Sequence, residues 1–536
     1  MDNQDLRRFM VSVTYMVTGI LVTGWVASLI WEPDLAIWWA VSGPLLVYLI
    51  LRIPEYRRND TPEGYFLHSR QMPSNKFVWT FVTTNIGLFS SIAFSTILAY
   101  YYGIPGMVWT VVAWFAGIWW FSKKIPSFLG FFKTGSTVHE FISESYGSSD
   151  REKRILRAFT AAATGLLYWA SVGVEIKFGA DVLAPSLGVD AATIVALVIA
   201  ATGFTYTYLA GYRGVVYTDA IQFWTMLFGA GAIFTFIGIA SVGQPFSLPE
   251  SYFTVRAVLI GPDPFGLFSV VALLVVYQFC VMDMWQRCIA VANSPDFKGA
   301  SDEALISRMK EVVFKKSLIP FLIFFLAWFA IGIFALGTGL TDDLNNILPA
   351  FLGAFDQWGV AGIALKSIVL LAFVSAILST VDSFLIAAAQ TIMYDIYGSA
   401  IQKGLVSRFH ELSEKSLSKF VELSRLTVVA LGVSAVVFAF TQFNLMSFWV
   451  GMYSIMLSFF PAVYVQTLSN EQARHRNYRR VLAGVLSGSI GALVVSVVGT
   501  FIVASDTVTY FAPFVALGLS GWFIVPAAGF KKGISQ

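Results

Sequence analysis

Apolar runs of about 20 residues, the length a helix needs to cross a bilayer, recur from one end of this chain to the other. About fourteen spanning segments are expected, starting near Arg8, Ala36, Phe77, Pro105, Ala158, Ala191, Val215, Leu267, Ser317, Val360, Val421, Met446, Val481 and Val508. Only 12% of the 536 residues are charged and 57% are hydrophobic. A soluble chain carries roughly 25% charged residues. The reading is an all-α polytopic membrane protein whose partner is the lipid bilayer, with no nucleic acid.

Loop charge tests the segment count, because basic residues favour the cytoplasmic side. Arg7 and Arg8 precede the first segment. Arg52, Arg57, Arg58, Arg70 and Lys76 follow the second; Lys123 to Arg157 supply the loop after the fourth; Arg213 follows the sixth. The same alternation continues through Arg287 to Lys316, Lys403 to Arg425, Arg474 to Arg480, and Lys531 with Lys532. Only Lys177, Arg256 and Lys366 fall elsewhere. Both termini are therefore expected in the cytoplasm of a multi-pass plasma-membrane protein. SDEALISRMKEVV after the eighth segment reads as a short cytoplasmic helix, and TDDLNNILPAFLGAFDQW at 341–358 as an external connector or short amphipathic cap. Cys280 and Cys288 read as packing residues rather than a disulfide or metal pair.

Ionisable residues inside a membrane mark function by default. Here they are Glu175, Lys177, Asp219, Asp283, Lys366 and Asp382. Asp283 and Arg287 are four apart and can pair on one helix face. Glu175 and Lys177 are two apart and cannot. Lys366 is expected to snorkel outward, and Lys177 to snorkel or to meet a substrate carboxylate. Asp382 stands in SAILSTVDSF (375–384) with Ser379 and Ser383 on one helical stripe and Thr380 beside it. Four oxygen-bearing side chains within about two turns suit a hard cation. A buried carboxylate must be protonated, paired or ion-bound. No nucleophile–base pair or metal cluster appears, so no enzyme and no organic cofactor are expected.

The order of several motifs carries a resemblance. TPEGYFLHSRQMP precedes the third segment, GIPG (103–106) closes it, and STVHEFISESYG (136–147), AGYRGVVYTDAIQ (210–222), WQRCIA (285–290) and SAILSTVDSFLIAAAQTIMYDIY (375–397) follow. The set resembles the sodium:solute symporter family. That resemblance implies a leucine-transporter-type core of two inverted five-helix repeats, with the first helix of each repeat broken near the midplane. The implied division is 1–76, 77–240, 241–470 and 471–536. NIGLFSSIAFST (85–96), rich in small and polar residues, is a stretch where unwound backbone would expose carbonyls to an ion.

The resemblance further implies a common sodium site of backbone carbonyls at Ala93, Thr96 and Ala376 with the hydroxyls of Ser379 and Thr380. A second cation site falls on Asp219, Ser379, Asp382 and Ser383, where sodium and a proton remain alternatives. Tyr277 aligns with a substrate-gating aromatic, with Gln278, Ser95, Tyr100 and Lys177 as further substrate candidates. Tyr101, Tyr102, Trp169, Tyr453 and Ser458 complete the possible lining. The implied function is sodium-coupled uptake of a small organic solute by alternating access. A transporter-like solute sensor and a proton-coupled symporter are the rival readings.

Overall fold

The computed structural model describes residues 3–50, 61–189, 192–242, 245–254, 264–401, 409, 411–441, 445–468 and 477–528. Arg52, Arg57, Arg58, Arg256, Lys403, Arg408, Arg474, Arg476, Lys531 and Lys532 of the charge pattern lie outside these residues. Among the described residues, ten helical stretches are long and apolar enough to cross a membrane. Two shorter apolar stretches, Met16–Trp31 and Asp34–Val47, lie in the N-terminal helices α1 (Asn3–Trp31) and α2 (Pro33–Ile50).

A short helix α3 (Pro62–Leu67) leads to α4 (Ser74–Thr84) and then to the long α5 (Leu88–Thr134). α6 (Val138–Tyr146) and α7 (Asp150–Ser186) follow, then α8 (Ala192–Ala240). Next come α9 (Pro264–Cys280), α10 (Met282–Ala292), α11 (Asp302–Lys310), α12 (Lys316–Thr338) and α13 (Ile347–Ala354). α14 (Gly359–Gln390) runs on into wider turns at Thr391–Ile401. α15 (Glu414–Ala439), α16 (Leu445–Leu457), α17 (Phe460–Gln466), α18 (Tyr478–Val497) and α19 (Ala512–Ile524) complete the order.

Two of the long stretches bend sharply. Gly103 divides α5 at φ 62°, and Gly211 divides α8 at φ 53°. Left-handed backbone of this kind favours glycine. At Gly211 a side chain is excluded twice, since a Cβ would press on the ring and carbonyl of Tyr65 at 2.5 and 2.6 Å. These bends fall next to expected segment starts at Pro105 and Val215.

Two other helices are interrupted rather than bent. Asn85–Gly87 separates α4 from α5, and Val281 separates α9 from α10. These are the positions where broken helices are expected. α14 sits deep in the bundle, its 379–390 portion buried, and packs along α8, α7 and α2.

Capping explains one of the quoted motifs. Thr137 Oγ1 accepts the Glu140 N–H at 3.1 Å while Glu140 Oε2 accepts the Ser136 N–H at 2.8 Å. Ser149 and Glu152 repeat the arrangement at the start of α7, at 3.3 and 2.9 Å. Such reciprocal bonds satisfy amide groups that a helix start leaves unpaired. In the 341–358 segment, Phe351 and Phe355 pack on Phe236. Both cysteines are buried and free, as their packing role requires.

Candidate ion and substrate site

The site is built from the first break. Thr80, Thr83 and Thr84 are three and four apart and share a face of α4. The carbonyls at the end of that helix carry the negative end of its dipole, which favours a cation. α14 presents hydroxyls to them. Ser379 Oγ donates to the carbonyls of Thr83 and Ala376, both at 3.1 Å, and Thr380 Oγ1 donates to the Thr84 carbonyl at 3.2 Å. Both hydroxyl side chains are fully buried. The group is therefore two hydroxyls and three carbonyls, all hard oxygen donors at the point where a helix is broken.

The register between α8 and α14 arranges the next layer. Gly229 packs on Ala372, and Thr225 Oγ1 bonds Ser375 Oγ at 2.7 Å. Continued in the same antiparallel sense, Gln222 falls level with Ser379 and Asp219 level with Asp382. Asp219 accepts the Thr80 hydroxyl. Asp382 accepts the Tyr206 hydroxyl at 2.7 Å, and Tyr206 also donates to the Leu378 carbonyl at 3.0 Å. Ser383 Oγ lies 2.8 Å from Thr84 Oγ1.

A buried guanidinium reaches the same layer. Arg287 pairs with Asp283 at 3.3 Å, as the four-residue spacing requires, and donates to the Asp283 carbonyl at 2.9 Å. Its other nitrogen donates to Thr84, to Thr80 at 3.1 Å and to Ser383 at 3.3 Å. Tyr168 donates to the second oxygen of Asp283 at 2.7 Å. Thr80, Thr84, Tyr206 and the reach of Arg287 were not identified from sequence. The threonine stripe in TFVTTN was a readable signal for part of this, since it matches the polar stripe of SAILSTVDSF in spacing.

Other expected residues are placed differently. The oxygens at Ser379 and Thr380 belong to Thr83, Thr84 and Ala376, and the structure does not bring Thr96 to them. The Thr96 hydroxyl instead bonds the Trp328 carbonyl at 3.1 Å, and its own carbonyl packs on Gly332. Ala93 is buried at the end of the wide turn Leu88–Ala93, six residues beyond Gly87. The chain unwinds at the start of NIGLFSSIAFST, not at its end, which moves the carbonyls ten to twelve residues back. Lys177 pairs with Asp181 at 3.1 Å, and Lys366 pairs with Asp356 at 2.9 Å rather than only reaching outward.

A cavity of about 50 Å³ lies beside the break. Ser95, Tyr277 and Tyr453 line it, with Trp114, Trp449 and Asn85 among the other walls. Tyr277 stacks at a tilt between Trp114 and Tyr453, with centroids 5.7 Å from each. Tyr100, Tyr101, Tyr102, Gln278, Trp169, Lys177 and Ser458 are not among its walls. Tyr100 donates to the Thr341 carbonyl at 3.2 Å, Trp169 to Ser434 at 2.9 Å, and Ser458 pairs with Ser489 at 2.7 Å. Gln278 and Gln222 are buried, with both amide atoms lacking a partner among the described residues. The cavity has room for a water or two, whereas solute pockets measure about 300–1,000 Å³. A larger space of about 620 Å³ between α1, α2, α8 and α14 has apolar walls and no ionisable lining residue.

One end of the bundle is closed by polar ties. Gln286 donates to the Phe66 carbonyl at 2.8 Å and to Gln390 at 2.6 Å, and Gln390 donates to the Ser136 carbonyl at 2.9 Å. Asp395 accepts from Arg157 at 2.5 Å and from Thr137 at 2.8 Å.

The sequence model of the sodium:solute symporter family matches residues 65–477. The sodium/pantothenate symporter of Haemophilus influenzae is 24% identical over 409 residues, covering 73% of this chain and 78% of that protein. A sodium-coupled sialic acid symporter, solved substrate-bound and outward-open, superposes with a TM-score of 0.58 at 16% identity. That match covers 92% of this chain and 97% of the solved one, and it shows a shared fold.

Proposed function

The chain belongs to the sodium:solute symporter family, a family of transporters rather than enzymes, and from that premise we propose that it couples sodium entry to uptake of a small organic solute by alternating access. The proposal includes about fourteen crossings, two inverted repeats over 77–240 and 241–470, and cytoplasmic termini in the plasma membrane. The observation that carries it is the meeting of Ser379 and Thr380 with the Thr83 and Thr84 carbonyls at the broken helix. The coupling ion sits among those oxygens, each hydroxyl turning its lone pairs inward. The solute occupies the aromatic cavity after it widens, with Tyr277 as gate. The Gln286–Gln390 and Arg157–Asp395 ties form the gate on the cytoplasmic side and part for release.

Sodium gives the cycle its direction. One charge falling through about 100 mV yields about 2.3 kcal/mol, and a tenfold gradient adds about 1.4 kcal/mol. Together these support roughly 500-fold accumulation per sodium ion. A second cation, sodium or proton, is proposed at the level of Asp219 and Asp382, because two carboxylates on facing buried helices resist joint ionisation without one. The first-site assignment is tested with Thr380→Ala. The purified variant should fold, yet lose the thermal stabilisation that sodium chloride gives over choline chloride; a wild-type sodium response in the variant rejects the assignment.

A further inference from the structure

The same break exposes a second helix end, the N-terminus of α5. Its first amides point at a carboxylate supplied by the chain itself. Glu175 of α7 accepts the Phe89 N–H at 3.1 Å and the Ser90 N–H at 2.9 Å. The residue is 1% exposed. Among the described residues no ammonium or guanidinium pairs with it, unlike Asp283 and Asp395. Neutral N–H donors and a helix dipole offset only part of the penalty of burying an ion.

Gly87 shows what stands on the other side. A Cβ placed there would overlap Glu175 Oε1 and Ser90 Oγ and would stand 2.8 Å from Thr380 Oγ1. The carboxylate and the ion-site hydroxyl thus close on Gly87 from two sides, leaving no room for a methyl group. We propose that Glu175 is the counter-charge of the sodium ion at Ser379 and Thr380, and that it ties occupancy of that site to the seating of α5. The inference rests on the ion-site reading above and adds a charged group to an otherwise neutral set of oxygens. Sodium neutralises the carboxylate, and the carboxylate holds the two halves of the broken helix in one arrangement. A unit charge this near a cation in a dry interior alters its affinity by tenfold or more. Glu175 is thereby a positioning residue for the ion and for the half-helix that walls the cavity through Ser90, Ser91, Phe94 and Ser95.

The test is a sodium titration of the purified full-length protein in lipid nanodiscs, at constant ionic strength with choline chloride, read by thermal unfolding. Glu175→Gln preserves shape and one acceptor while removing the charge. It should raise the sodium concentration for half-stabilisation at least tenfold, whereas Thr380→Ala should abolish the response. A purely structural cap would lower the melting temperature equally at all sodium concentrations and leave the midpoint in place. A wild-type midpoint in Glu175→Gln, with Thr380→Ala unresponsive, overturns this inference and leaves the site reading standing. No sodium response in the wild type overturns both. Should Glu175→Gln fail to fold, Glu175→Asp reads the same quantity, because it draws the charge back from Gly87. A raised midpoint is then expected, and an unchanged one refutes the role.

Discussion

Arg287→Met removes the guanidinium that stands between Asp283 and the hydroxyls of Thr80, Thr84 and Ser383. Arg287 and Asp283 are both fully buried. The substitution keeps much of the side-chain volume but leaves Asp283 with only the Tyr168 hydroxyl and its helix-start position. Breaking a buried ion pair by deleting one partner costs about 3–5 kcal/mol, most of it from the stranded charge. Replacing both charges avoids that penalty. Asp283→Asn combined with Arg287→Met should therefore be more stable than Arg287→Met alone, because Asn keeps a partner for Tyr168 and carries no charge. The assay is reversible denaturant unfolding of the purified protein in mixed micelles, run as a double-mutant cycle. If the double variant is destabilised by the sum of the two single losses, Arg287 does not serve to neutralise Asp283. Its hydroxyl contacts would then carry the whole effect.

Three further outcomes are expected. Gly87→Ala should destabilise by about 2 kcal/mol or more, the scale of overpacking a buried site, and should weaken the sodium response in thermal unfolding; wild-type behaviour on both counts would contradict the close packing at Gly87. Asp382→Asn should lower the sodium Hill coefficient of uptake if a second sodium uses the site, or flatten its pH dependence if a proton does, and no change in either would exclude both. Burial, with the charges of Arg213 and Lys76 nearby, pushes the His68 imidazole down to about 4. The unfolded chain therefore takes up the proton first, so this contribution is present above the ordinary value near 6.5 and is lost as pH falls from there toward 4. Between pH 6.5 and 5.5 the wild type should lose about 1 kcal/mol more than His68→Asn, which tolerates the left-handed backbone at this position. An equal loss in the two proteins would show that His68 does not contribute to this pH dependence.

The membrane fold was legible because hydropathy and loop charge are read over whole segments, where single-residue errors average out. Glycine bends at 103 and 211 were legible as segment boundaries for a related reason: loops between spans need residues that turn. The polar stripe on α14 was legible from its spacing alone, and so was the Asp283–Arg287 pair. What stayed hidden was which carbonyls the break presents to α14. NIGLFSSIAFST mixes seven small or polar residues with Ile86, Leu88, Phe89, Ile92 and Phe94, so its composition alone does not say where within it the helix unwinds. The deciding factor is tertiary: Thr83 and Thr84 face α14, Glu175 caps the next half-helix, and Thr96 packs on α12. The partner of Lys177 was missed for a simpler reason. Its partner, Asp181, is four residues on and was visible in the sequence as an ordinary helix pair.

The central claim is that sodium held between Ser379, Thr380 and the end of α4 drives solute movement. The most direct measurement is accumulation of solutes from a defined metabolite mixture by proteoliposomes carrying this protein, under an imposed inward sodium gradient with membrane potential clamped. The expected result is concentrative uptake of a small organic solute that collapses when sodium is replaced by choline and is absent in Thr380→Ala. Uptake of equal extent without sodium, or in the variant, would contradict it.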